Sequence, residues 1–179
     1  KASDFIGVKQ GSSLNGVEPS LETLNIVSVK DDSAQRVWSM PIQLLAVKPQ
    51  QLNQVSEQFC KLNKSFETPP LLISVLAGVK LKKLESLFPN HKCVRAVPNT
   101  PSLVASGLTG LSWGNGVSKL QKEVVNAIFQ PISEVFELPE TQLDAFLALT
   151  SSGPAYVALI AESLADGAVA SGLPRIFAE

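Results

Sequence analysis

Short apolar runs rich in Val, Ile and Leu, separated by stretches with helical periodicity, most constrain the fold of this chain. The runs are residues 4–10, 25–31, 42–50, 71–79 and 93–101. Continuous apolar runs of this length are typical of strands buried on both faces of a parallel sheet. Residues 51–63 and 81–88 carry apolar side chains at spacings of three and four, which predicts crossover helices. The pattern therefore predicts an α/β fold with a doubly wound parallel sheet.

The pattern changes after residue 116. Residues 118–138 predict a helix to Phe129, a break at Pro131 and a last short strand near residues 133–138. From Glu140 onward the residues favour helix, which places a domain boundary close to residue 139. A helical segment of about 40 residues is too small to bury a core alone, so we expect it to join a larger assembly.

Composition argues against several classes of partner. The net charge is −1 and no long basic run is present, so we expect neither nucleic acid nor an anionic membrane as a partner. No apolar stretch is expected to reach the roughly 20 residues of a membrane span. Cys60 and Cys93 have no further Cys or His at ligand spacing, so no metal site is predicted and both are expected to be buried. We expect a cytoplasmic protein.

Three successive strand ends carry residues suited to a ligand site. Lys48 and Pro49 directly follow one buried run, and Ala77 and Gly78 follow the next. Asn99 lies between two prolines after the third run. Because ligands bind where the carboxyl ends of parallel strands converge, these ends predict a nucleotide-sized binding edge. Taken singly, each turn is equally well explained as ordinary loop chemistry.

The usual dinucleotide fingerprint, G-x-G-x-x-G, is not found, because Gly7, Gly11 and Gly16 have a different spacing. The first strand ends instead in Lys9 and Gln10. If this is the second strand of a doubly wound fold, such groups favour a ribose 2′-phosphate, and therefore NADP over NAD. NAD remains an alternative, and an exposed polar turn explains the same residues.

Four segments together resemble the pyrroline-5-carboxylate reductases. They are "LLAVKPQ" (44–50), "ISVLAGV" (73–79), "VRAVPNTP" (94–101) and "SSGPAYVALIAESLADGAVASGLPR" (151–175). The resemblance implies the NAD(P)H-dependent reduction of 1-pyrroline-5-carboxylate to L-proline, the last step of proline biosynthesis. It also implies a Rossmann-type dinucleotide-binding domain over residues 1–139, the start of an all-helical dimerisation domain over residues 140–179, and a homodimer or larger homo-oligomer.

The resemblance also implies which residues line the sites. The positions that match the dinucleotide site are Ala46, Val47, Lys48, Pro49, Ala77 and Asn99. Ser33 falls where the family often has Asn beside the cofactor. Glu140 aligns with an acidic position near the substrate; the alternative is that this acid only stabilises the start of its own helix.

The pair Gly153-Pro154 predicts the start of a helix, with proline at the first position and Ser151 and Ser152 as capping candidates. Such a helix start presents free N–H groups to an anion. We therefore expect Ser152 and Gly153 to shape the pocket for the imino acid and the nicotinamide. Close helix packing on small residues is the alternative.

Two parts of the family pattern have no counterpart in this sequence. One is the glycine-rich loop that precedes the family's second strand, where this chain is expected to begin. The other is the region beyond residues 172–175, with the hydroxyl thought to serve the imine nitrogen. The catalytic proton donor is therefore unknown; His91, in a predicted surface loop, and Tyr156 are poor candidates.

Two other functions compete with the reductase. One is a truncated, non-catalytic family member that acts in assembly or small-ligand binding. The other is a Rossmann-type reductase of a different imine or β-hydroxy acid. Such reductases should have a catalytic Lys on this helix. No Lys lies between Glu140 and Arg175, so this alternative is disfavoured.

Overall fold

The computed structural model describes residues 6–9, 25–28, 32–62 and 66–179, with seven strands and five α-helices among them. The strands are β1 (Ile6–Lys9), β2 (Asn25–Ser28), β3 (Ile42–Leu45), β4 (Leu71–Ser74), β5 (Lys92–Pro98), β6 (Gly107–Trp113) and β7 (Ser133–Glu137). The helices are α1 (Leu52–Lys61), α2 (Leu81–Leu87), α3 (Lys119–Phe129), α4 (Glu140–Ala170) and α5 (Arg175–Ala178). Short 3-10 helices cover Asp32–Ser39, Pro49–Gln51 and Thr100–Val104.

Five strands form one sheet in the order β3-β4-β5-β6-β7. The strands β3, β4 and β5 are parallel, with Leu44 opposite Ile73 and Ile73 opposite Val94, which confirms the prediction for this part. The strands β1 and β2 pair in parallel as a separate two-stranded sheet. In the five-stranded sheet, three of the four strand pairs are parallel.

The strand β6 was not predicted, and it makes the sheet mixed. It runs antiparallel to β5 and parallel to β7. Only residues 99–106 separate β5 from β6, and a parallel crossover needs a dozen or more residues. Two glycines in "GLTGLSW" weaken the strand signal. One of them, Gly110, lets α4 approach, because a Cβ there would lie 2.9 Å from atoms of Leu143 and Phe146.

Helices cover both faces of the sheet, as a doubly wound fold requires. Successive residues of β4 show this directly: Leu72 packs in a cluster with Leu52 and Leu84 of α1 and α2. Its neighbour Ile73 packs in a second cluster with Val125 of α3. All four residues of β4 are buried.

The helix α4 begins at Glu140 and runs through Gly153 and Pro154 without interruption. The prediction that a helix begins at residues 153–154 is therefore wrong. Proline is disfavoured inside helices because it removes a hydrogen bond, but a side chain outside the helix serves the carbonyl that Pro154 leaves unpaired. The strand at 133–137 and the helix ending at Phe129 are confirmed.

Most of α4 is exposed within this chain, although it is apolar. Only Leu143 and Thr150 of this helix are buried. The exposed side chains include Leu149, Tyr156, Val157, Leu159, Ile160 and Leu164. By length and composition alone, α4 could cross a membrane, so the expectation that no stretch is long enough is wrong.

Candidate functional site

The carboxyl ends of β3, β4 and β5 lie side by side, because the three strands are adjacent and parallel. Five residues that follow β3 and β4 are exposed at this edge: Ala46, Lys48, Pro49, Ala77 and Gly78. Asn99 follows β5 at the same edge. The structure thus brings together the three turns that the sequence singled out.

The turn after β3 is held by two hydrogen bonds between Lys48 and Gln51. Lys48 is extended, and Pro49 starts the 3-10 helix that leads into α1. The N–H of Lys48 donates to Oε1 of Gln51 at 3.2 Å, and the N–H of Gln51 donates to the Lys48 carbonyl at 2.8 Å. Val47 packs against the core between Ala46 and Lys48, which are exposed. The cationic side chain of Lys48 is therefore available at the edge.

The turn after β4 leaves backbone open to a ligand. Gly78 has φ +71°, a conformation that L side chains rarely adopt. A Cβ built at Gly78 would meet no atom of the described residues within 4 Å, so among them the space beside it is free. A flat or phosphorylated ligand can approach such a backbone closely, and the turn fits a dinucleotide in this respect.

A cleft of about 380 Å³ lies where the ends of β4 and β5 face α4. Its lining residues are Val75, Ala77, Val97, Pro98, Leu147 and Ser151. The walls are mostly apolar, and the Ser151 hydroxyl is one polar group among them. Ser152 and Gly153 come directly after Ser151 on α4 but are not lining residues themselves. The cleft therefore joins the cofactor edge to the helical segment.

Glu140 lies elsewhere, in the lining of a second cavity of about 330 Å³ beside the β7–α4 connection. Its Oε1 accepts a hydrogen bond of 2.6 Å from the N–H of Leu81, the first residue of α2. The same oxygen lies 3.4 Å from Nη1 of Arg95. Within this chain Glu140 thus caps α2 and pairs with a cation; its role near the substrate stays a prediction.

Sequence reasoning missed Arg95, which is buried in β5. Its Nη2 donates to Oδ1 of Asp144 at 2.8 Å, and its Nη1 reaches Glu140. A charge is costly inside a protein unless it is paired, so an Arg within an apolar run is itself a signal. The two acids anchor the first turns of α4 to the sheet through Arg95.

The amino-terminal candidates are not tested. Lys9 ends β1, and its side chain is not described. Gln10 lies outside the described residues. Ser33 lies in the 3-10 helix Asp32–Ser39, again without a described side chain. The preference for NADP that rests on Lys9 and Gln10 therefore stays a prediction.

His91 is buried, so its predicted place in a surface loop is wrong. The sequence Pro-Asn before it suggested a turn, but the His91 ring packs inside. Its Nε2 lies 3.1 Å from Oε1 of Gln43. Burial lowers the pKa of His91 from 6.5 to about 4. It precedes β5, at the opposite end of that strand from Asn99, and takes no part in the cleft.

The expectation that both cysteines are buried holds for one of them. Cys93 is buried as expected, whereas Cys60 is exposed at the end of α1. Tyr156, a poor candidate for the proton donor, is exposed on α4. Across residues 6–9, 25–28, 32–62 and 66–179, no group of three or more His, Cys, Asp or Glu is arranged to hold a metal ion.

Two relatives illustrate the sequence similarity. A pyrroline-5-carboxylate reductase of Synechocystis is 41% identical over 153 residues, which cover 86% of this chain and 56% of the relative. The reductase of Glycine max is 36% identical over 149 residues, which cover 83% of this chain and 53% of the relative. The chain thus spans about half the length of these relatives.

Solved structures agree in fold. A pyrroline-5-carboxylate reductase from Coxiella burnetii superposes with a TM-score of 0.77 at 35% identity, covering 89% of this chain and 58% of that one. The Plasmodium falciparum pyrroline carboxylate reductase with NADP bound gives 0.76 at 28% identity, covering 99% and 63%.

The helical segment has a match of its own. Residues 140–179, which begin with the first residue of α4, match the family model for pyrroline-5-carboxylate reductase dimerisation. The apolar helix α4 thus lies in the segment that is similar to a dimerisation domain. In sequence and in fold, this chain is similar to the pyrroline-5-carboxylate reductases over between half and two thirds of their length.

Proposed function

We propose that this protein reduces 1-pyrroline-5-carboxylate to L-proline with NADPH, as the last step of proline biosynthesis in the cytoplasm. The observation that carries the proposal is the cleft of about 380 Å³ in which the ends of β4 and β5 face α4. Relatives named pyrroline-5-carboxylate reductases support the choice of substrate. The Plasmodium structure with NADP bound supports the cofactor, with NAD as the alternative.

The exposed edge of the sheet would hold the cofactor. The free space and positive φ at Gly78 give the backbone access that a dinucleotide needs. The residues proposed to line it are Ala46, Val47, Lys48, Pro49, Ala77, Gly78, Asn99 and Ser33, with Lys9 and Gln10 beside the 2′-phosphate. When bound, the cofactor supplies a hydride to the carbon of the substrate's C=N bond.

The side chains of the cleft orient the substrate and exclude water. Val97 of β5 and Leu147 of α4 both contribute apolar lining to the cleft. Ser152 and Gly153 follow Ser151 on α4, and we propose that they contact the imino acid, with Glu140 near it. No lining residue of this cleft titrates, so its part in the reaction is to hold the reactants in a productive geometry.

The helices α4 and α5 are proposed to form the contact between subunits of a homodimer or larger homo-oligomer. The match of residues 140–179 to a dimerisation model supports this. Leu159, Ile160 and Leu164 leave an apolar surface on α4 that this chain does not cover. A subunit contact would remove that surface from water.

The test is to mix the purified full-length protein with 1-pyrroline-5-carboxylate and NADPH, and to measure nicotinamide absorbance and L-proline together. One proline formed for each NADPH oxidised supports the proposal, and parallel runs with NADH decide the cofactor. Lys48→Ala should raise the Kd for NADPH, whereas Lys82→Ala, at the exposed side of α2, should not. Cofactor binding without proline formation would instead indicate the non-catalytic alternative.

A further inference from the structure

The side chain of Asn99 joins three elements beside the cleft. Its Nδ2 donates to the backbone carbonyl of Thr150 in α4 at 3.0 Å. Its Oδ1 accepts from the backbone N–H of Leu108 in β6 at 2.8 Å. Because one partner is a carbonyl and the other an N–H, the orientation of the amide is fixed. Asn99 is 9% exposed, and both ends of its amide are occupied within the chain.

The Thr150 carbonyl is available because of Pro154. In an α-helix the carbonyl of residue i accepts from the N–H of residue i+4, and position 154 carries no N–H. Thr150 is 5% exposed, so an unpaired carbonyl would cost free energy comparable to a lost hydrogen bond. Asn99 therefore supplies the donor that Pro154 removes from α4.

The hydrogen bond crosses the joint between the two walls of the cleft. Val97 and Pro98, which immediately precede Asn99, line one wall. Leu147 and Ser151, within one turn of Thr150, line the other. A change in the contact between Asn99 and Thr150 would therefore move the walls relative to each other.

We propose that Asn99 is a positioning residue for the proposed reduction, which sets the separation of the cleft walls by holding the Thr150 carbonyl that Pro154 leaves free. One N–H and one lone pair of its amide are already used within the chain, and the positioning role needs no hydrogen bond from this side chain to the cofactor. The inference rests on the proposed function for its kinetic consequence. The pairing of Asn99 with Pro154, in which Asn99 supplies the donor that Pro154 lacks, does not depend on that function.

The kinetic test uses Asn99→Asp in the full-length protein. This change keeps an acceptor for the Leu108 N–H but removes the donor to Thr150. We expect kcat with 1-pyrroline-5-carboxylate to fall by about 10- to 100-fold, because small displacements of reacting groups cost that much. The Kd for NADPH should stay within about twofold. Asn90→Asp, the same change at an exposed position before β5, is the control and should leave both unchanged.

The second test measures unfolding and needs no activity. Asn99→Asp should lower the melting temperature by about 4–8 °C, since it leaves a buried carbonyl facing a carboxylate. Pro154→Ala restores an N–H for Thr150 within α4. In that background, Asn99→Asp should cost at most about half as much, because the carbonyl no longer depends on Asn99.

The outcomes separate the alternatives. A Kd for NADPH that rises as much as kcat/KM falls would mean that Asn99 binds the cofactor directly, and would overturn the positioning role. An equal loss of melting temperature in both backgrounds would overturn the pairing with Pro154. If the wild-type protein reduces no imine, the proposed function and the positioning role both fail, and the unfolding cycle still decides whether the pairing exists.

Discussion

The two ends of β3, β4 and β5 are built from different kinds of side chain. Around His91, which precedes β5, the rings of Trp38, Phe59, Phe66 and Phe88 lie with centroids 4.9 to 6.5 Å from the imidazole. Aromatic side chains bury large areas and fill space completely. Among the described residues, this end of the strands is occupied by packed rings.

The carboxyl ends of the same strands carry small, exposed residues, such as Ala46, Ala77 and Gly78. Here backbone is accessible and a cleft opens toward α4. The comparison shows that packing and binding are assigned to opposite ends of one sheet. A substitution at the aromatic end should therefore change stability, and one at the open edge should change binding.

The largest effect is expected from Phe88→Ala. Phe88 is 0% exposed and its ring lies 5.8 Å from that of Phe59 and 5.9 Å from that of Trp38. The cavity should lower the free energy of unfolding by about 3–5 kcal/mol, measured by denaturant titration. Leu120→Ala, on the exposed side of α3, should change it by less than about 0.5 kcal/mol. A loss below about 1 kcal/mol for Phe88→Ala would contradict the contrast between the two ends.

The next effect is the pH dependence of stability. Gln43 donates from Nε2 to the Met40 carbonyl at 3.0 Å, so its Oε1 faces His91 and accepts from the imidazole Nε2–H. Nδ1 of His91 is buried without a partner among the described residues. Burial lowers the pKa of His91 to about 4, so only the unfolded chain binds a proton between pH 4 and 6.5. The stability from this group is complete above pH 6.5 and is lost as the pH falls through 4.

The expected loss is at most about 3 kcal/mol, at about 1.4 kcal/mol for each pKa unit. It is measured as the free energy of unfolding between pH 7 and pH 4. His91→Phe keeps an aromatic ring but removes the titration, so its curve should fall less steeply with decreasing pH. The slopes are compared rather than the absolute stabilities, because in this variant Oε1 of Gln43 loses the imidazole N–H from which it accepts. Parallel curves would show that His91 is not the group responsible.

The smallest effects come from two glycines of the open region and should have opposite signs. A Cβ at Gly78 or at Gly153 would meet no atom within 4 Å in the part of the chain that the structure describes, so neither change creates a clash there. Gly78→Ala places Ala at φ +71° and should cost about 1–2 kcal/mol of stability. Gly153→Ala lies inside α4 and should add about 0.5–1 kcal/mol.

Activity sharpens this comparison. If Gly153 shapes the substrate pocket, Gly153→Ala should lower kcat/KM for the imino acid although it stabilises the fold. Gly78→Ala should raise the Kd for NADPH instead. Unfolding by denaturant and steady-state kinetics measure the two properties separately. An unchanged kcat/KM in Gly153→Ala would leave its small size to be explained by subunit packing.

Much of the fold could be predicted, because the apolar runs that became β3, β4 and β5 are long enough to specify buried parallel strands. The three strand ends also meet at one edge, since parallel adjacent strands leave no other arrangement. The strand β6 could not be found in this way. Its Gly110 leaves space for Leu143 and Phe146 of α4, a contact that the sequence of the strand does not reveal.

The errors share a cause in contacts between residues far apart in sequence. The local pattern at Pro154 predicts a helix start, whereas the cost of this proline inside α4 is offset by Asn99, which lies 51 residues from the carbonyl that it serves. The residues before His91 indicated a surface turn, but Gln43, 48 residues away, gives the imidazole a partner in the core. Predictions made from neighbouring residues in the sequence do not include hydrogen-bond partners that lie far away in the chain.

If α4 forms the proposed subunit contact, its exposed surface ties the stability of the protein to its concentration. Leu159, Ile160 and Leu164 are 61–71% exposed in the single chain, and burial of one such side chain contributes about 1.5–3 kcal/mol. Whatever binds only the folded form stabilises it by mass action, and a second subunit is such a ligand. The midpoint of thermal unfolding should therefore rise as the protein is concentrated. In that case a single chain that has not yet met a second one is less stable than the assembled form.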